Sequence, residues 1–236
     1  MNKVLKVFLI IFTVIVIVLG VFILYCKRSC MRYRLGDMIK GKQHRDGITF
    51  GIMSSRFYHY LVFPNSIASK YMKRTDNESD LEVLSDIILH NKYSKNKYNN
   101  TIIIHIRTGD VLEPKHCKAD IQTIIDDGCG DYCKPFSYYK YQLEQIPSSI
   151  NKITIISGNH DFVKSTKSLQ YLELLKQRFA DMGYEVEILY NQHPDKDFTI
   201  MCLAKYFIPS GGAFSTLAKN TNEYIKVINK ENFFIK

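Results

Sequence analysis

The chain has 236 residues and a formal net charge of +9 at pH 7, and this charge is distributed unevenly along the sequence. Residues 26–45 hold seven of the 32 Lys and Arg residues but only Asp37 as an acid, whereas residues 46–236 hold 23 basic and 22 acidic residues. A nucleic-acid-binding protein would be expected to carry a basic surface on its folded body. The charge therefore excludes nucleic acid as the expected partner, and it places the basic excess where anionic lipid head groups could bind it.

The first predicted element is a membrane-spanning helix. Residues 7–25 contain no charged side chain over nineteen positions, which is about the length needed to cross a bilayer core. The run is longer than the apolar core of a typical signal peptide, roughly 7–15 residues, and no small-x-small cleavage site follows it. We therefore expect residues 1–25 to form an uncleaved, single-pass membrane anchor, with a cleaved signal peptide as the alternative.

Basic residues flank this segment on both sides, so its orientation stays open. Two lysines precede it, and four Lys or Arg residues follow it within residues 27–34. Counting these residues favours a cytosolic body, but the α-amino group reduces the margin, and a luminal body is the alternative. Residues 26–45 show no sustained hydrophobic periodicity and are interpreted as a basic juxtamembrane linker.

Residues 46–100 are predicted to form a reduced N-terminal region. Residues 48–63 are strand-rich, and residues 80–89 carry apolar side chains at i, i+3, i+6 and i+7, on one face of a short helix. The Lys- and Asn-rich stretch 93–100 is interpreted as a connector that ends this region. The region is short for a complete domain, since typical domains have about 100–150 residues.

Beyond residue 100, predicted strands and helices alternate. The strands are expected at residues 101–106, 152–156, 184–189, 206–209 and 225–228. The helices are expected at residues 137–145, 168–183, 197–205 and 213–218. Asp197 is expected to cap the third of these helices, and residues 111–135 are expected to be irregular because Gly128 and Gly130 break any periodicity. This alternation predicts an α/β domain over residues 101–236, with a parallel sheet covered on both faces.

Three turns follow predicted strands, at residues 105–110, 157–160 and 210–215. In open α/β folds, chemistry collects at the carboxyl ends of strands, so we expect these turns to converge on one edge of the sheet. The third turn opens a helix whose backbone N–H groups and dipole could hold a phosphate, and Gly211 and Gly212 would allow a diphosphate to approach closely. Arg107 offers a fixed fork of donors to the same group. The alternative is that these are ordinary turns of an α/β sheet.

Four residues with zinc-ligand chemistry lie close together in the sequence, namely His116, Cys117, Cys129 and Cys133. Thiolates and imidazole suit zinc, but this spacing matches no zinc motif closely. Free thiols, or one disulfide if the body is luminal, are the alternatives. Cys26 and Cys30, just beyond the apolar segment, could be palmitoylated.

The sequence His105-Ile-Arg-Thr-Gly-Asp110 resembles the H-x-R-x-G-D motif of the α1,2- and α1,6-fucosyltransferase superfamily. The block 197–205, continuing to residues 208–215, is similar to the late donor-site motif of that superfamily, in which an Asp opens a helix and a Phe-Ser turn follows. The two motifs occur in the expected order, and the resemblance covers about residues 101–220. It implies a Rossmann-like parallel sheet of the GT-B type. It also implies an inverting, metal-independent transfer of fucose or a related sugar from a GDP-sugar to a glycan.

The resemblance further implies roles for individual residues. Arg107 would neutralise the leaving diphosphate, which is an electrostatic task, and His105 and Asp110 would shape the motif turn; these three are the catalytic candidates. Asp197 would reach the nucleotide, and Ser215 would meet a phosphate. The complete set of donor-site candidates is Arg107, Ser157, Asp197, Ser210, Gly211, Gly212 and Ser215. No metal or other cofactor is expected. The general base is left open among three residues, Asp110, Glu113 and His160.

Two departures from the superfamily pattern keep other functions open. Thr108 stands where a second arginine is usual, and residues 46–65 lack the usual Gly-rich, Asn-Gln start of the first domain. The first alternative is therefore a non-catalytic sugar- or partner-binding domain tethered to a membrane. The second is a metal-dependent phosphoesterase, because Gly109-Asp110 and Gly158-Asn-His-Asp161 offer groups of the kind that hold two metal ions. Asp195-Lys-Asp197 also forms a D-x-D string, a pattern that binds a metal–nucleotide complex in other glycosyltransferases. In this chain Asp197 is better explained as the helix cap.

Overall fold

The computed structural model describes residues 3–29, 67–72, 80–91, 93, 98, 100–158 and 166–233. In this part of the chain the helices are α1 (Lys3–Ser29), α2 (Ile67–Met72), α3 (Asp80–Leu89), α4 (Ile121–Asp127), α5 (Phe136–Glu144), α6 (Thr166–Asp181), α7 (Pro194–Leu203) and α8 (Ala213–Phe233). The strands are β1 (Ile102–Arg107), β2 (Lys152–Gly158), β3 (Glu185–Tyr190) and β4 (Tyr206–Ile208), and a 3-10 turn covers Gly109–Leu112. The predicted strand-rich stretch 48–63 lies outside the described residues.

The four described strands form one parallel sheet in the order β3-β2-β1-β4. In β1, Ile104 lies opposite Ile155 of β2 and Ile208 of β4. Isoleucine suits this strand because β-branched side chains favour an extended backbone and because both faces of a parallel sheet are buried. Accordingly, Ile102, Ile103 and Ile104 are fully buried. The predicted α/β class with a parallel sheet is confirmed.

Helices cover the sheet on both faces. Ile103 of β1 packs in a core with α2, α3, α7 and α8, whereas Ile102 and Ile104 pack on the opposite face with α4, α5 and α6. This alternation follows from the two-residue period of a strand. Helices α2 and α3 therefore pack on the sheet body, through fully buried side chains such as Ile67 and Leu84. The domain division at residue 100 stays a prediction.

Helix α1 carries apolar side chains all around its axis over residues 7–21. These side chains are exposed by about half or more, for example Phe8 at 66% and Val21 at 62%. Among the residues that the structure describes, however, no helix is both long enough and apolar enough to cross a bilayer. The predicted membrane-spanning helix is therefore not supported by the structure.

The segment 111–135 contains a helix, α4, where the sequence predicts irregular structure. Asp120 caps this helix by accepting a hydrogen bond from the backbone N–H of Thr123 at 3.0 Å, as short polar side chains do at helix N-termini. The buried Ile124 and Ile125 attach α4 to the core. The prediction is therefore wrong for α4, which is too short to show a clear apolar period.

Helices α7 and α8 differ from their predicted bounds. His193, and not Asp197, caps α7, because the His193 ring accepts a hydrogen bond from the backbone N–H of Asp195 at 3.2 Å. Pro194 is the first helical residue, where a missing backbone N–H costs nothing. The prediction of Asp197 as the cap is therefore wrong. The prediction of a strand at residues 225–228 is also wrong, since these residues continue α8, whose buried side chains recur at helical spacing.

Candidate functional site

The carboxyl ends of β1, β2 and β4 meet around one cleft, as expected for a parallel sheet. The cleft encloses about 510 Å³ of space, including the part that is open to solvent. Six predicted site residues line it, namely His105, Arg107, Ser157, Asp197, Gly211 and Gly212. The other lining residues are Ile156, Gly158, Gln192, Pro194 and Phe214. The structure thus brings most of the predicted donor-site residues together.

Arg107 brings a positive charge to this cleft and is held from two sides. Its Nη2 atom donates to both carboxylate oxygens of Asp110, each at 3.3 Å, and Asp110 lies in the 3-10 turn that follows β1. The guanidinium carbon lies 4.8 Å from the centre of the Tyr132 ring, which is within the range of a cation–π contact. The Arg107 side chain is 20% exposed. Its guanidinium is therefore oriented before any ligand binds.

His105 lies two residues before Arg107, with its side chain on the same face of β1. Its Nδ1 atom shares a hydrogen bond with the hydroxyl of Ser210 at 2.8 Å, and its ring meets the Phe214 ring edge-on at 5.8 Å. Burial, and then the charge of Arg107, lower the pKa of His105 from 6.5 to about 4. His105 is therefore neutral near pH 7, and it links β1 to the turn after β4 without adding charge to the cleft.

Ser157 and Thr108 fasten the ends of β2 and β1 together. Their hydroxyl oxygens are 3.0 Å apart and both side chains are buried, and the Thr108 hydroxyl also donates to the carbonyl of Gly158 at 3.3 Å. The backbone N–H of Gly109 donates to the hydroxyl of Ser168 in α6 at 3.0 Å. The turn that carries Arg107 is therefore fixed from both β2 and α6.

Ser210 and Ser215 close the turn between β4 and α8. The backbone N–H of Ser210 donates to the hydroxyl oxygen of Ser215 at 3.0 Å, and Ser215 is fully buried. Neither serine belongs to the residues that line the cleft. The predicted contact between Ser215 and a phosphate stays a prediction, and in the structure this hydroxyl holds the turn.

Residues 129–133 form a short hairpin, which we call the 129–133 hairpin, and it lies directly on the two glycines of this turn. A Cβ at Gly211 would overlap the backbone carbonyl oxygen of Asp131, and a Cβ at Gly212 would lie 3.3 Å from the Tyr132 ring. Gly212 also has a φ of +94°, a conformation that favours glycine. The close approach that we expect of a diphosphate at these glycines is made here by the protein's own chain.

A disulfide between Cys117 and Cys129 attaches the 129–133 hairpin to the body. The backbone N–H of Cys129 donates to the carbonyl of Cys133 at 2.8 Å, and Cys133 is a buried free thiol whose pKa burial raises to about 11. Of the alternatives left open for these cysteines, the structure shows one disulfide. Within the described ranges, no group of three or more His, Cys, Asp or Glu side chains could hold a metal ion.

The two carboxylates of the D-x-D string have different surroundings. Asp195 accepts a hydrogen bond from the backbone N–H of Ile67 at 3.2 Å, so it joins α7 to α2. Asp197 lies in the first turn of α7, is 8% exposed and lines the cleft. Of the two, only Asp197 is placed to meet a ligand there. His160 and Asp161, which belong to the phosphoesterase pattern, lie outside the described residues.

Comparisons of the chain with protein-family models, with curated proteins and with solved structures give no match. The superfamily that the two motifs resemble therefore has no independent support from likeness to known proteins. The structure adds their positions, since the first motif lies at the end of β1, the second lies in α7 and in the turn after β4, and residues of both line the same cleft.

The sequence alone did not point to Tyr132, although this residue contacts Arg107. Tyr132 lies in a stretch without apolar periodicity, which gives no sign of where its side chain packs. Cys129 and Cys133, which bracket it, are the local signal that a closed hairpin could form here.

Proposed function

We propose that this chain is a membrane-anchored glycosyltransferase of the fucosyltransferase-like, GT-B type. It transfers fucose or a related sugar from a GDP-sugar to a glycan or glycoconjugate, with inversion and without a metal ion. The described sheet is the donor-binding half, and residues 46–100 contribute to the acceptor side. The observation that carries this proposal is Arg107, an oriented guanidinium at the carboxyl end of β1 and at the edge of the cleft.

The chemistry of sugar transfer explains why this arrangement supports the proposal. A nucleoside diphosphate leaves as the glycosidic bond breaks, and oriented donors stabilise the negative charge that develops on it. The planar fork of Arg107 matches the oxygens of such a group. Asp197 lines the same cleft, and its carboxylate can accept hydrogen bonds from N–H or O–H groups of the nucleotide.

We also propose that α1 anchors the enzyme to a membrane. A helix that is apolar on all sides is normally covered by protein or lipid, and the side chains of α1 over residues 7–21 are exposed. The basic residues of the stretch 26–45 would then meet anionic head groups. Alkaline extraction of membranes should leave the full chain in the pellet, and its release into the supernatant would contradict an anchor.

The reaction is tested by the release of GDP. The full chain in detergent is incubated with GDP-fucose and a mixture of glycans, with and without EDTA. We expect GDP release that depends on the acceptor, that EDTA does not reduce, and that Arg107→Ala lowers by about 100-fold or more. Arg178→Ala is the matched control, because Arg178 makes an exposed ion pair with Asp126 at 3.8 Å. Release that requires a metal ion would contradict the proposal.

One observation favours a second function, that of a non-catalytic sugar- or partner-binding domain. The 129–133 hairpin fills the space next to Gly211 and Gly212 that a diphosphate would otherwise approach. In this alternative the chain binds a sugar or a partner but releases no GDP from GDP-fucose with any acceptor. Glycan binding without GDP release across the glycan mixture would therefore favour it.

A further inference from the structure

The 129–133 hairpin is tightly closed. The backbone N–H groups of Cys129 and Cys133 donate to each other's carbonyl oxygens, at 2.8 and 3.3 Å. Gly128, just before the hairpin, has a φ of +79°, and a Cβ there would lie 2.7 Å from the Cys133 carbonyl oxygen. The conformation and the space both require glycine at this position. The hairpin therefore presents its tip, which carries Tyr132, in a defined position.

Tyr132 contacts the guanidinium of Arg107 by its ring face. The guanidinium carbon lies 4.8 Å from the ring centre, and the ring edge also packs against Gly212. Asp110 accepts from the Nη2 atom through both carboxylate oxygens, each at 3.3 Å. The flat Tyr132 ring against the face of the guanidinium adds a restraint on the orientation of its plane.

The disulfide joins the 129–133 hairpin to a fixed part of the body. Cys129 is bonded to Cys117, which is 2% exposed and whose backbone N–H donates to the carbonyl of Glu113 at 2.8 Å. Lys167 of α6 donates to the carbonyls of Ala119 at 2.8 Å and of Cys117 at 3.5 Å. The segment that receives the disulfide is therefore itself held by α6.

We propose that Tyr132 is a positioning residue for Arg107 and that the Cys117–Cys129 disulfide keeps it in place. The affinity of the cleft for a diphosphate then depends on the redox state of this disulfide. Arg107 is the diphosphate ligand here as in the proposed function, on which this inference rests. A dithiol that donates two electrons and two protons converts the disulfide into two thiols and is itself oxidised to a disulfide. The released hairpin holds Tyr132 on Arg107 for only a fraction of the time, and the apparent association constant for the diphosphate is multiplied by that fraction.

Calorimetric titration tests the positioning role of Tyr132. The full chain in detergent, without reductant, is titrated with GDP and with inorganic pyrophosphate. Tyr132→Phe keeps the ring and should bind within about twofold of the wild-type chain. Tyr132→Ala should bind about three- to 30-fold more weakly, the range for loss of a cation–π contact. Tyr141→Ala is the matched control, because Tyr141 is 61% exposed, and it should bind like the wild-type chain.

Reduction tests the link to the disulfide. Dithiothreitol should weaken binding by the wild-type chain in the same direction as Tyr132→Ala. It should have little further effect on the Tyr132→Ala chain, because both changes remove the same contact and their effects are then not additive. Thiol titration confirms that the disulfide is reduced. If the reduced chain unfolds, the Tyr132 variants in their oxidised form still decide the positioning role.

The outcomes separate this inference from the proposed function. Unchanged affinity in oxidised Tyr132→Ala, or equal losses in Tyr132→Phe and Tyr132→Ala, would overturn the positioning role. Unchanged affinity after complete reduction of the folded chain would overturn the redox dependence. Unchanged affinity in Arg107→Ala, or a wild-type chain that binds neither probe, would overturn the proposed function and this inference with it.

Discussion

His105 is the residue whose ionisation the structure perturbs most clearly within the cleft. Burial, and then the charge of Arg107, hold its pKa at about 4 instead of 6.5. The unfolded chain takes up a proton near pH 6.5, so the stability linked to neutral His105 is present above pH 6.5 and is lost as the pH falls toward 4. We expect this group to lower the free energy of unfolding by about 2 kcal/mol between pH 7 and pH 5.

Urea unfolding at the two pH values measures this effect. The His105→Gln chain lacks the titrating ring and should lose less stability between pH 7 and pH 5 than the wild-type chain. The difference between the two chains isolates His105 from other groups that titrate in the same range. Equal pH dependence in both chains would contradict a lowered pKa at this position.

At the residue scale, the sequence pointed to Arg107 but not to the side chain that orients it. Arg107 ends a run of buried isoleucines, so the rule that chemistry lies at strand ends located it. Tyr132 reaches it from a hairpin that is distant in sequence. A glycine at position 211 is compatible with the close approach of a ligand and also with the close approach of another part of the chain. The structure distinguishes the two, because the backbone of Asp131 packs against Gly211.

At the scale of elements, the strands and the longer helices could be predicted because their apolar side chains recur at clear periods. Strand β1 and helix α6 are examples, with Gly183 following α6 at a φ of +91°. Short elements could not be predicted in the same way. Helix α4 has seven residues, and α7 begins at a histidine cap, a residue type that is not among the usual N-caps.

Helix α8 fastens the C-terminal end of α7 through one side chain. Asn222 is 4% exposed, and its Nδ2 atom donates to the carbonyl oxygens of Cys202 and Ala204, each at 2.8 Å. The last carbonyls of a helix have no partner within that helix, so Asn222 satisfies acceptors that would otherwise be buried without a donor. Strand β4 and the glycine turn follow directly.

We predict that Asn222→Leu lowers the free energy of unfolding by about 1–3 kcal/mol, because it removes the donor from buried acceptors at nearly constant side-chain size. Asn220→Leu is the matched control, since Asn220 is exposed on the same helix. Urea unfolding at pH 7 compares the two variants with the wild-type chain. Equal effects of the two substitutions would contradict the role of Asn222 at the end of α7.

At the scale of the whole molecule, the Cys117–Cys129 disulfide bears on the side of the membrane that the body occupies. Disulfides persist in oxidising compartments and are generally reduced in the cytosol. The basic residues around the apolar segment favour a cytosolic body by a small margin. We give the disulfide more weight because the hairpin it holds packs against Arg107 and against the two glycines that line the cleft. We therefore propose that the body lies on the oxidising side.

The sequence offers a direct test of this orientation, because it contains two Asn-x-Ser/Thr acceptors, at Asn77 and Asn99. In a eukaryotic secretory cell, the full chain should carry N-linked glycans, and glycosidase treatment should lower its apparent mass. The double variant Asn77→Gln, Asn99→Gln should show no such shift. An unglycosylated wild-type chain with all six cysteines reduced would contradict an oxidising location.

The central claim is that Arg107 binds the diphosphate of a nucleotide, and calorimetric titration of the full chain with GDP in the presence of EDTA tests it most directly. We predict metal-independent binding that Arg107→Ala weakens by about 10- to 150-fold, the range for lost hydrogen bonds to a charged group. Arg178→Ala should leave the affinity unchanged. An Arg107→Ala chain that binds GDP as tightly as the wild-type chain would contradict the claim.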